Sequence, residues 1–203
     1  MRTTVSALAI SCLLALAAPA AGQWTPMNPV VSAEPQPDGL VLTLQTGFLR
    51  IQVCADAIVR VRYSTTRAFP DAPDPVVIKS SWAPVKWSQS DSGGQITVAT
   101  TRLKLVVERR DASITYRTAE GRQLVQEASR KLTPARINGE GTHRSESFWN
   151  IYGSREGLYG LGQQQDGVWN HRGNTVDLSH ENSHIAVPFL VSSRGYGILW
   201  DNT

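Results

Sequence analysis

Alternation of apolar and polar residues over short segments limits the folds open to this chain more than any other feature. Between Ile58 and Tyr63, two valines alternate with Arg60 and Arg62, so one strand face is expected to be buried while the arginines reach water. Outside residues 1–22, no segment repeats apolar residues every three or four positions for the length of a helix. The sequence therefore predicts an all-β protein built as an antiparallel β-sandwich.

The predicted strands follow one another closely, with turn residues such as Thr46-Gly47 and Glu120-Gly121 between them. Antiparallel neighbours need only short connections, so this spacing favours hairpins over crossover units. The segments predicted to be strands in the first part of the chain are Gly39 to Gln45, Phe48 to Val53, Ile58 to Tyr63, Gln95 to Thr100, Leu103 to Glu108, Ser113 to Arg117 and Leu124 to Glu127.

The first 22 residues are typical of a secretory signal peptide. Arg2 supplies a positive charge, Val5 to Ala17 form a short apolar run, and Ala18-Pro19-Ala20 is a small-residue cleavage pattern. The apolar run is too short to be read as a spanning helix. We therefore expect a secreted or periplasmic protein, with no membrane association after cleavage between Ala21 and Gln23.

The remaining chain is predicted to hold one domain. Residues 23–38 are rich in proline and polar residues and are predicted to form a linker or arm, and residues 39–203 the sandwich. Removal of the signal would leave Cys54 as the one cysteine, which excludes an intrachain disulfide. The net charge is +3 and the basic residues are scattered, so no nucleic-acid partner is expected.

The stretch from Leu158 to Asn202 has the most distinctive composition. Leu158 to Gly162 alternates large residues with glycine, which indicates a bend or a close approach of another backbone. Ile185 to Val191 is an apolar run predicted to be a buried strand, which Pro188 would place at an edge or a bulge. Ser192 to Gly195 is predicted to turn the chain into a second strand, giving a hairpin.

Between these strands, Gln163 to Ser183 is polar and contains Trp169. Amides and an aromatic ring are the groups that a sugar-facing loop uses, because sugars offer hydroxyls to bond and C–H faces to stack. A solvated connection between two strands has the same composition, so residue types alone do not decide between these two interpretations.

The letters HENSH at residues 180–184 satisfy the H-E-x-x-H zinc pattern. That pattern needs a helix to bring His180 and His184 to one face. Asn182 and Ser183 are poor helix-interior residues, and a strand follows at once. We therefore expect no metal and no cofactor, and a metalloprotease-like domain stays a third alternative.

Several motifs together resemble the family 31 glycoside hydrolases, which include α-glucosidases and α-xylosidases. The resemblance rests on an ordered set rather than on one motif: Tyr159-Gly160-Leu161-Gly162, Asn170, Arg172-Gly173, Asn182, Pro188-Phe189, Gly195-Tyr196-Gly197 and Trp200-Asp201-Asn202. Glutamines 163 to 165 stand where an acid often follows Gly-Leu-Gly, which resembles the α-xylosidase-like branch. In this family an N-terminal sandwich of galactose-mutarotase-like fold precedes a catalytic (β/α)8 barrel.

The resemblance implies the N-terminal domain of a secreted retaining α-glycosidase, with α-xylosidase favoured over α-glucosidase. The expected ligand is an α-linked oligosaccharide or glycoside, and the expected partner is a catalytic barrel fused after residue 203. None of the 17 acidic residues lies in a motif like those of the family's catalytic carboxylates, so we predict no catalytic residue and no activity for this chain alone. The alternative is a free-standing carbohydrate-binding module.

The resemblance also implies where a sugar would bind. In the family, a loop of the sandwich reaches over the barrel mouth, and the matching residues here are Glu181, Asn182 and Ser183, to which we add Trp169 from its composition. Asn182 offers a donor and an acceptor, and Glu181 an ionised acceptor. The competing interpretation is that these residues only cap a turn.

Overall fold

The computed structural model describes residues 28–69, 77–79, 81–153 and 155–201, and all regular secondary structure in these ranges is β-strand. The all-β prediction is therefore confirmed. The predicted signal peptide lies outside the described residues. Among those described, no helix has the length and apolarity needed to cross a membrane.

Thirteen strands form three antiparallel sheets in the described residues. The first sheet has the order β1-β2-β3-β4, with strands Val30–Gln36, Gly39–Leu44, Phe48–Ala55 and Ile58–Ser64. The second has the order β10-β9-β8-β7-β6-β5, where β5 to β10 are Ser88–Ser92, Gln95–Ala99, Leu103–Glu108, Ile114–Thr118, Gln123–Ile137 and Glu140–Ile151. The third has the order β11-β12-β13, with strands Leu158–Gln163, Ile185–Ser192 and Tyr196–Leu199.

The hydrophobic core lies between the first two sheets. Alternate residues of β2 and β3 meet alternate residues of β6, β7 and β8, as period-two strands require of a sandwich. Each fully buried Leu or Ile contributes roughly 1.5–3 kcal/mol relative to an exposed side chain. The members with at most 1% exposure are Leu40, Leu42, Leu49, Ile51, Ile96, Val98, Leu105, Val107, Ala112 and Ile114.

The second half of residues 23–38, predicted to be a linker or an arm at the sandwich edge, contains an edge strand. Val30–Gln36 forms β1, which pairs antiparallel with β2 at the edge of the first sheet. Pro35 is accommodated because an edge strand leaves one row of backbone donors unpaired. Val30 also donates its backbone N–H to the carbonyl of Arg109 at 2.7 Å, which ties this strand to the second sheet.

The sequence did not indicate two parts of the second sheet. Strand β5 consists of five exposed, mostly polar residues, and β9 and β10 continue far beyond Leu124 to Glu127 as a long hairpin. These strands are stabilised by backbone pairing to a neighbour, with little side-chain burial at the hairpin tip. Apolar periodicity therefore could not reveal them.

The arginines of β4 do not simply reach water, in contrast to the prediction. Arg60 and Arg62 are both half-buried. Arg60 Nη2 lies 2.5 Å from Asp201 Oδ2, which connects the first sheet to the segment after β13. Arg62 lies over the ring of Phe69, at 5.8 Å from its centroid. The outer face of the first sheet thus contributes to packing as well as to solubility.

The segment predicted to be a buried strand is exposed on one face. Strand β12 is central in the third sheet, but Ile185, Val187, Phe189 and Val191 are exposed while the residues between them are half-buried. An uninterrupted apolar run suggests burial on both faces. Here the described residues cover only one of them.

Candidate functional site

The glycines of β11 allow its backbone to approach β12 closely. Gly160 and Gly162 have φ of +98° and +96°, and a Cβ placed on Gly162 would lie 1.9 Å from the carbonyl oxygen of Ile185. The register of β11 and β12 shifts between these glycines, and Pro188 lies in the shifted part of β12. This confirms the predicted close approach and the bulge at the proline.

Residues 181–184 form a tight turn that leads into β12. His184 donates its backbone N–H to the carbonyl of Glu181 at 3.1 Å, and Ser183 has φ of +80°. His180 Nδ1 accepts from the backbone N–H of Ala186 at 3.5 Å. The segment is therefore not the helix that H-E-x-x-H requires, which counts against the alternative zinc interpretation. Among the described residues, no group of three or more His, Cys, Asp or Glu could hold a metal.

The predicted polar residues of this turn are exposed to solvent. Glu181, Asn182 and Ser183 all lie on the surface, and Glu181 Oε1 accepts from the hydroxyl of Ser179 at 3.4 Å. Their side chains are available to a ligand, but backbone bonds rather than these side chains close the turn.

Trp169 is 85% exposed, although hydrogen bonds hold the loop around it in place. Asp166 Oδ1 accepts from the backbone N–H of Val168 at 2.9 Å. Asn170 Oδ1 accepts from the backbone N–H groups of Leu158 at 3.0 Å and Arg172 at 3.1 Å. The indole is thus presented to solvent by hydrogen-bonded residues on both sides.

His171 anchors the same loop to the first strand of the third sheet. Its backbone N–H donates to the carbonyl of Leu158 at 2.8 Å, and its Nε2 lies 3.3 Å from the carbonyl oxygen of Gly160. The side chain is buried. The loop therefore packs against the beginning of β11.

Glu156 joins three segments, and sequence reasoning missed it. Its carboxylate is 3% exposed, and Oε1 accepts from the hydroxyls of Ser192 and Tyr196, both at 2.5 Å. Its backbone carbonyl accepts from Arg172 Nη1 at 3.0 Å. Burial, followed by the hydrogen bond to Glu156, raises the pKa of Tyr196 to about 12. No local pattern in the sequence marks an acid whose partners lie 36 and 40 residues away.

Arg194 completes the attachment of the third sheet to the second. It donates through Nη1 to the carbonyl of Tyr152 and through Nη2 to the carbonyl of Gln123 at 2.7 Å. Ser193 exchanges two bonds with Gly157, one through its hydroxyl at 2.9 Å and one through its backbone N–H at 3.0 Å. Ser193 and Arg194 of the hairpin turn therefore bond to residues outside the third sheet.

Trp200 lies in an aromatic cluster at the same junction. Its ring is edge-on to Trp149 at 6.1 Å between centroids, and Trp149 is 6.0 Å from Tyr116. The half-buried Trp200 therefore has aromatic partners within the fold.

The structure places the four predicted binding residues in two groups. Glu181, Asn182 and Ser183 share one turn, next to Ile185, which pairs with Gln163 at the end of β11. Trp169 belongs to a loop that is anchored at Leu158, the first residue of β11. The two groups are thus anchored at different ends of β11, the turn beside Gln163 and the Trp169 loop at Leu158.

Comparison with known proteins identifies the family of this domain. Residues 48–203 match the family model of the glycosyl hydrolase 31 N-terminal galactose mutarotase-like domain. The chain is 48% identical over 50 residues to an α-xylosidase of Saccharolobus solfataricus, and 35% identical over 63 residues to α-xylosidase A of Aspergillus niger. These matches cover 25% and 31% of this chain but only 7% and 9% of the relatives' lengths, so the chain corresponds to a small part of each.

Solved structures show the same relationship. The α-xylosidase of Xanthomonas citri, a family 31 enzyme, superposes with a TM-score of 0.67 at 26% identity, over 88% of this chain and 18% of that enzyme. A family 31 α-xylosidase from a soil metagenome, solved with xylose, has a TM-score of 0.68 over 84% of this chain and 28% of its own, and its 23% identity shows the shared fold alone. In its relatives the domain is part of a larger enzyme, and this chain belongs to the family of glycosyl hydrolase 31 N-terminal galactose mutarotase-like domains.

Proposed function

We propose that the chain is the substrate-shaping, carbohydrate-binding domain of a secreted retaining α-glycosidase that acts on α-xylosides. Family membership supports the link to glycoside hydrolysis, and the relatives named α-xylosidase favour xylosides over glucosides. The chemistry itself needs two carboxyl groups about 5 Å apart on either side of the bond to be cleaved. The domain contributes binding energy and leaves that chemistry to the catalytic part of the enzyme.

The observation that carries the proposal is the exposure of Trp169. An indole that is 85% exposed offers an open aromatic face on which the C–H face of a sugar can stack. The bonds made by Asp166, Asn170 and His171 limit the motion of the loop. When a sugar stacks on a ring that is already held in place, the loop loses little conformational entropy on binding.

The turn at 181–183 supplies the polar contacts. Asn182 bonds a sugar hydroxyl as donor and acceptor, and ionised Glu181 accepts from a second hydroxyl. The bond that closes the turn uses backbone atoms, so a ligand can contact these side chains without opening the turn.

The separation of the two groups sets the size of the ligand. Because the turn and the Trp169 loop are anchored at opposite ends of β11, we expect a ligand that contacts both to contain more than one sugar unit. Binding energy from sugar units remote from the cleaved bond lowers the activation barrier when it helps to position the reacting ring.

Titration calorimetry with an α-linked xylosyl disaccharide tests this function. We expect Trp169→Ala to weaken binding by about 1 kcal/mol through lost stacking, and Asn182→Ala by roughly 1–3 kcal/mol through a lost polar contact. Phe148→Ala, which removes an exposed aromatic from β10, is the matched control and should leave binding unchanged. Unchanged affinity in both site variants would mean that the loop and turn are only structural.

Secretion forms part of the proposal because residues 1–22 have the composition of a signal peptide. N-terminal sequencing of exported protein should begin between Ala21 and Gln23. An exported chain that retains Met1 would contradict it.

A further inference from the structure

The tip of the β9–β10 hairpin is a two-residue turn formed by Asn138 and Gly139. Ile137 at the end of β9 pairs with Glu140 at the start of β10, so these two residues alone connect the strands. Asn138 has φ of +51° and Gly139 has φ of +86°, both in the left-handed region. Type I′ hairpin turns need positive φ at both central positions, and Asn-Gly is a favoured pair for them. Asn138 is also the one asparagine of the chain that glycine follows.

Little apart from this turn holds the hairpin tip together. Strand β9 pairs with β8 only as far as Glu127, and the described pairing beyond that residue is with β10 alone. The side chains of residues 140–145 are all exposed. A two-stranded hairpin without a packed face is marginally stable in water, and the length of its turn fixes its register. The order of the tip therefore depends on an intact two-residue turn.

The two groups that can react with each other at this turn are accessible. Neither the side-chain amide of Asn138 nor the backbone N–H of Gly139 forms a hydrogen bond with the described residues. Glycine has no side chain to hinder the approach of its nitrogen to the amide carbon, and the space around Gly139 is open. Asn150 differs on both counts: its Nδ2 donates to Gln126 Oε1 at 3.1 Å, and the β-branched Ile151 follows it.

We propose that Asn138 is a site of spontaneous deamidation, through which the hairpin tip opens as the protein ages. The backbone nitrogen of Gly139 loses its proton and bonds to Cγ of Asn138. The Cγ–Nδ2 bond then breaks, the amide group leaves as ammonia, and a cyclic succinimide remains. Water adds to one of the two ring carbonyl carbons, and the bond from that carbon to the nitrogen breaks, which restores the N–H and leaves a carboxylate.

The two directions of ring opening affect the turn differently. Opening at Cγ gives aspartate at position 138 with an unchanged backbone, and Asp-Gly is also favoured in this type of turn. Opening at the backbone carbonyl carbon gives isoaspartate, in which the chain runs through the side chain and gains one backbone atom. Because loop length fixes the register of a hairpin, the longer linkage does not fit the pairing of Ile137 with Glu140. Isoaspartate is therefore the product that separates the strands.

Peptide mass spectrometry of the chain after storage in mildly alkaline buffer tests the modification. We expect the peptide with residue 138 to become about 1 Da heavier, roughly tenfold or more faster than the peptide with Asn182, because Asn182 precedes a residue with a side chain. Asn138→Gly removes the amide but leaves Gly-Gly, which suits the same turn, so it should gain no mass at this position. Equal rates at Asn138 and Asn182 would overturn the proposal.

Limited trypsin digestion measures the opening of the tip. Cleavage after Arg136, which lies in β9 beside the turn, tracks the fraction of chains whose strands have separated. We expect storage to increase this cleavage severalfold in the wild-type chain and to leave it unchanged in Asn138→Gly. Freshly prepared Asn138→Asp has the charge of the product on a normal backbone and should resemble fresh wild type. A stored wild-type chain that contains isoaspartate but is cleaved no faster than the fresh chain would contradict the opening.

Discussion

At the scale of single residues, Glu156 connects the hairpin turn at 192–196 to the loop that carries Trp169. Its side chain accepts from Ser192 and Tyr196, and its backbone accepts from Arg172. A buried carboxylate is costly unless it accepts such bonds. Loss of the Tyr196 hydroxyl should therefore loosen the junction without changing the sandwich core.

We expect Tyr196→Phe to lower the free energy of unfolding by roughly 1 kcal/mol near pH 8, through the lost hydrogen bond to Glu156. The pKa of Tyr196 is raised to about 12, so the folded state favours the neutral phenol. The stabilisation by this phenol is complete below about pH 10, the ordinary pKa, and is lost as the pH rises towards 12.

Urea unfolding at pH 8, 10 and 11 checks this dependence. The difference in the free energy of unfolding between wild type and Tyr196→Phe should become smaller above pH 10. Phe148→Ala changes an exposed residue of β10 with no titrating group, so its effect on the free energy of unfolding should be the same at all three pH values. A Tyr196→Phe deficit that is equal at all three pH values would show that the phenol is not linked to folding in this way.

At the scale of the strands, the closeness of β11 and β12 requires glycine at position 162. Its Cβ would contact the Ile185 carbonyl, and its φ of +96° is unfavourable for any other residue. Gly173 has a similar φ of +78° but open space around it. Alanine substitutions at Gly162 and Gly173 can therefore separate the free-energy cost of the positive φ from the cost of the steric clash.

Gly173→Ala should lower the free energy of unfolding by about 1 kcal/mol, through the positive φ alone. Gly162→Ala should cost more, about 3 kcal/mol or above, because the strands must separate to admit the methyl group. Thermal unfolding of both variants provides the comparison. Equal costs for the two substitutions would mean that β11 and β12 are not held this closely.

The strands that the sequence predicted are those with one buried face. Segments such as Phe48 to Val53 and Leu103 to Glu108 show their burial as period-two alternation. Strands β5 and β10 are mainly polar and stabilised by backbone pairing, so they carry no such pattern. The apolar run at Ile185 to Val191 predicted a buried strand, but one face of that strand is exposed. Apolar composition does not show whether another element covers a strand.

At the scale of the whole molecule, the candidate site depends on contacts that sequence alone does not show. The positions of Glu181, Asn182 and Ser183 in one exposed turn follow from local composition and from the family resemblance. The anchoring of the Trp169 loop through Asn170 and His171 follows from tertiary contacts with β11. Residue types could therefore suggest the binding groups, whereas their separation along the sheet required the fold.

The most direct test of sugar binding is a nuclear magnetic resonance titration of the ¹⁵N-labelled chain with an α-linked xylosyl disaccharide. The chain has six tryptophans, so each indole N–H gives one signal that can be assigned by substitution. We expect the Trp169 indole and the backbone amides of Asn182 and Ser183 to shift, while the buried core amides stay unchanged. Absence of shifts at saturating sugar, or shifts confined to residues outside the loop and turn, would contradict the proposed carbohydrate-binding function.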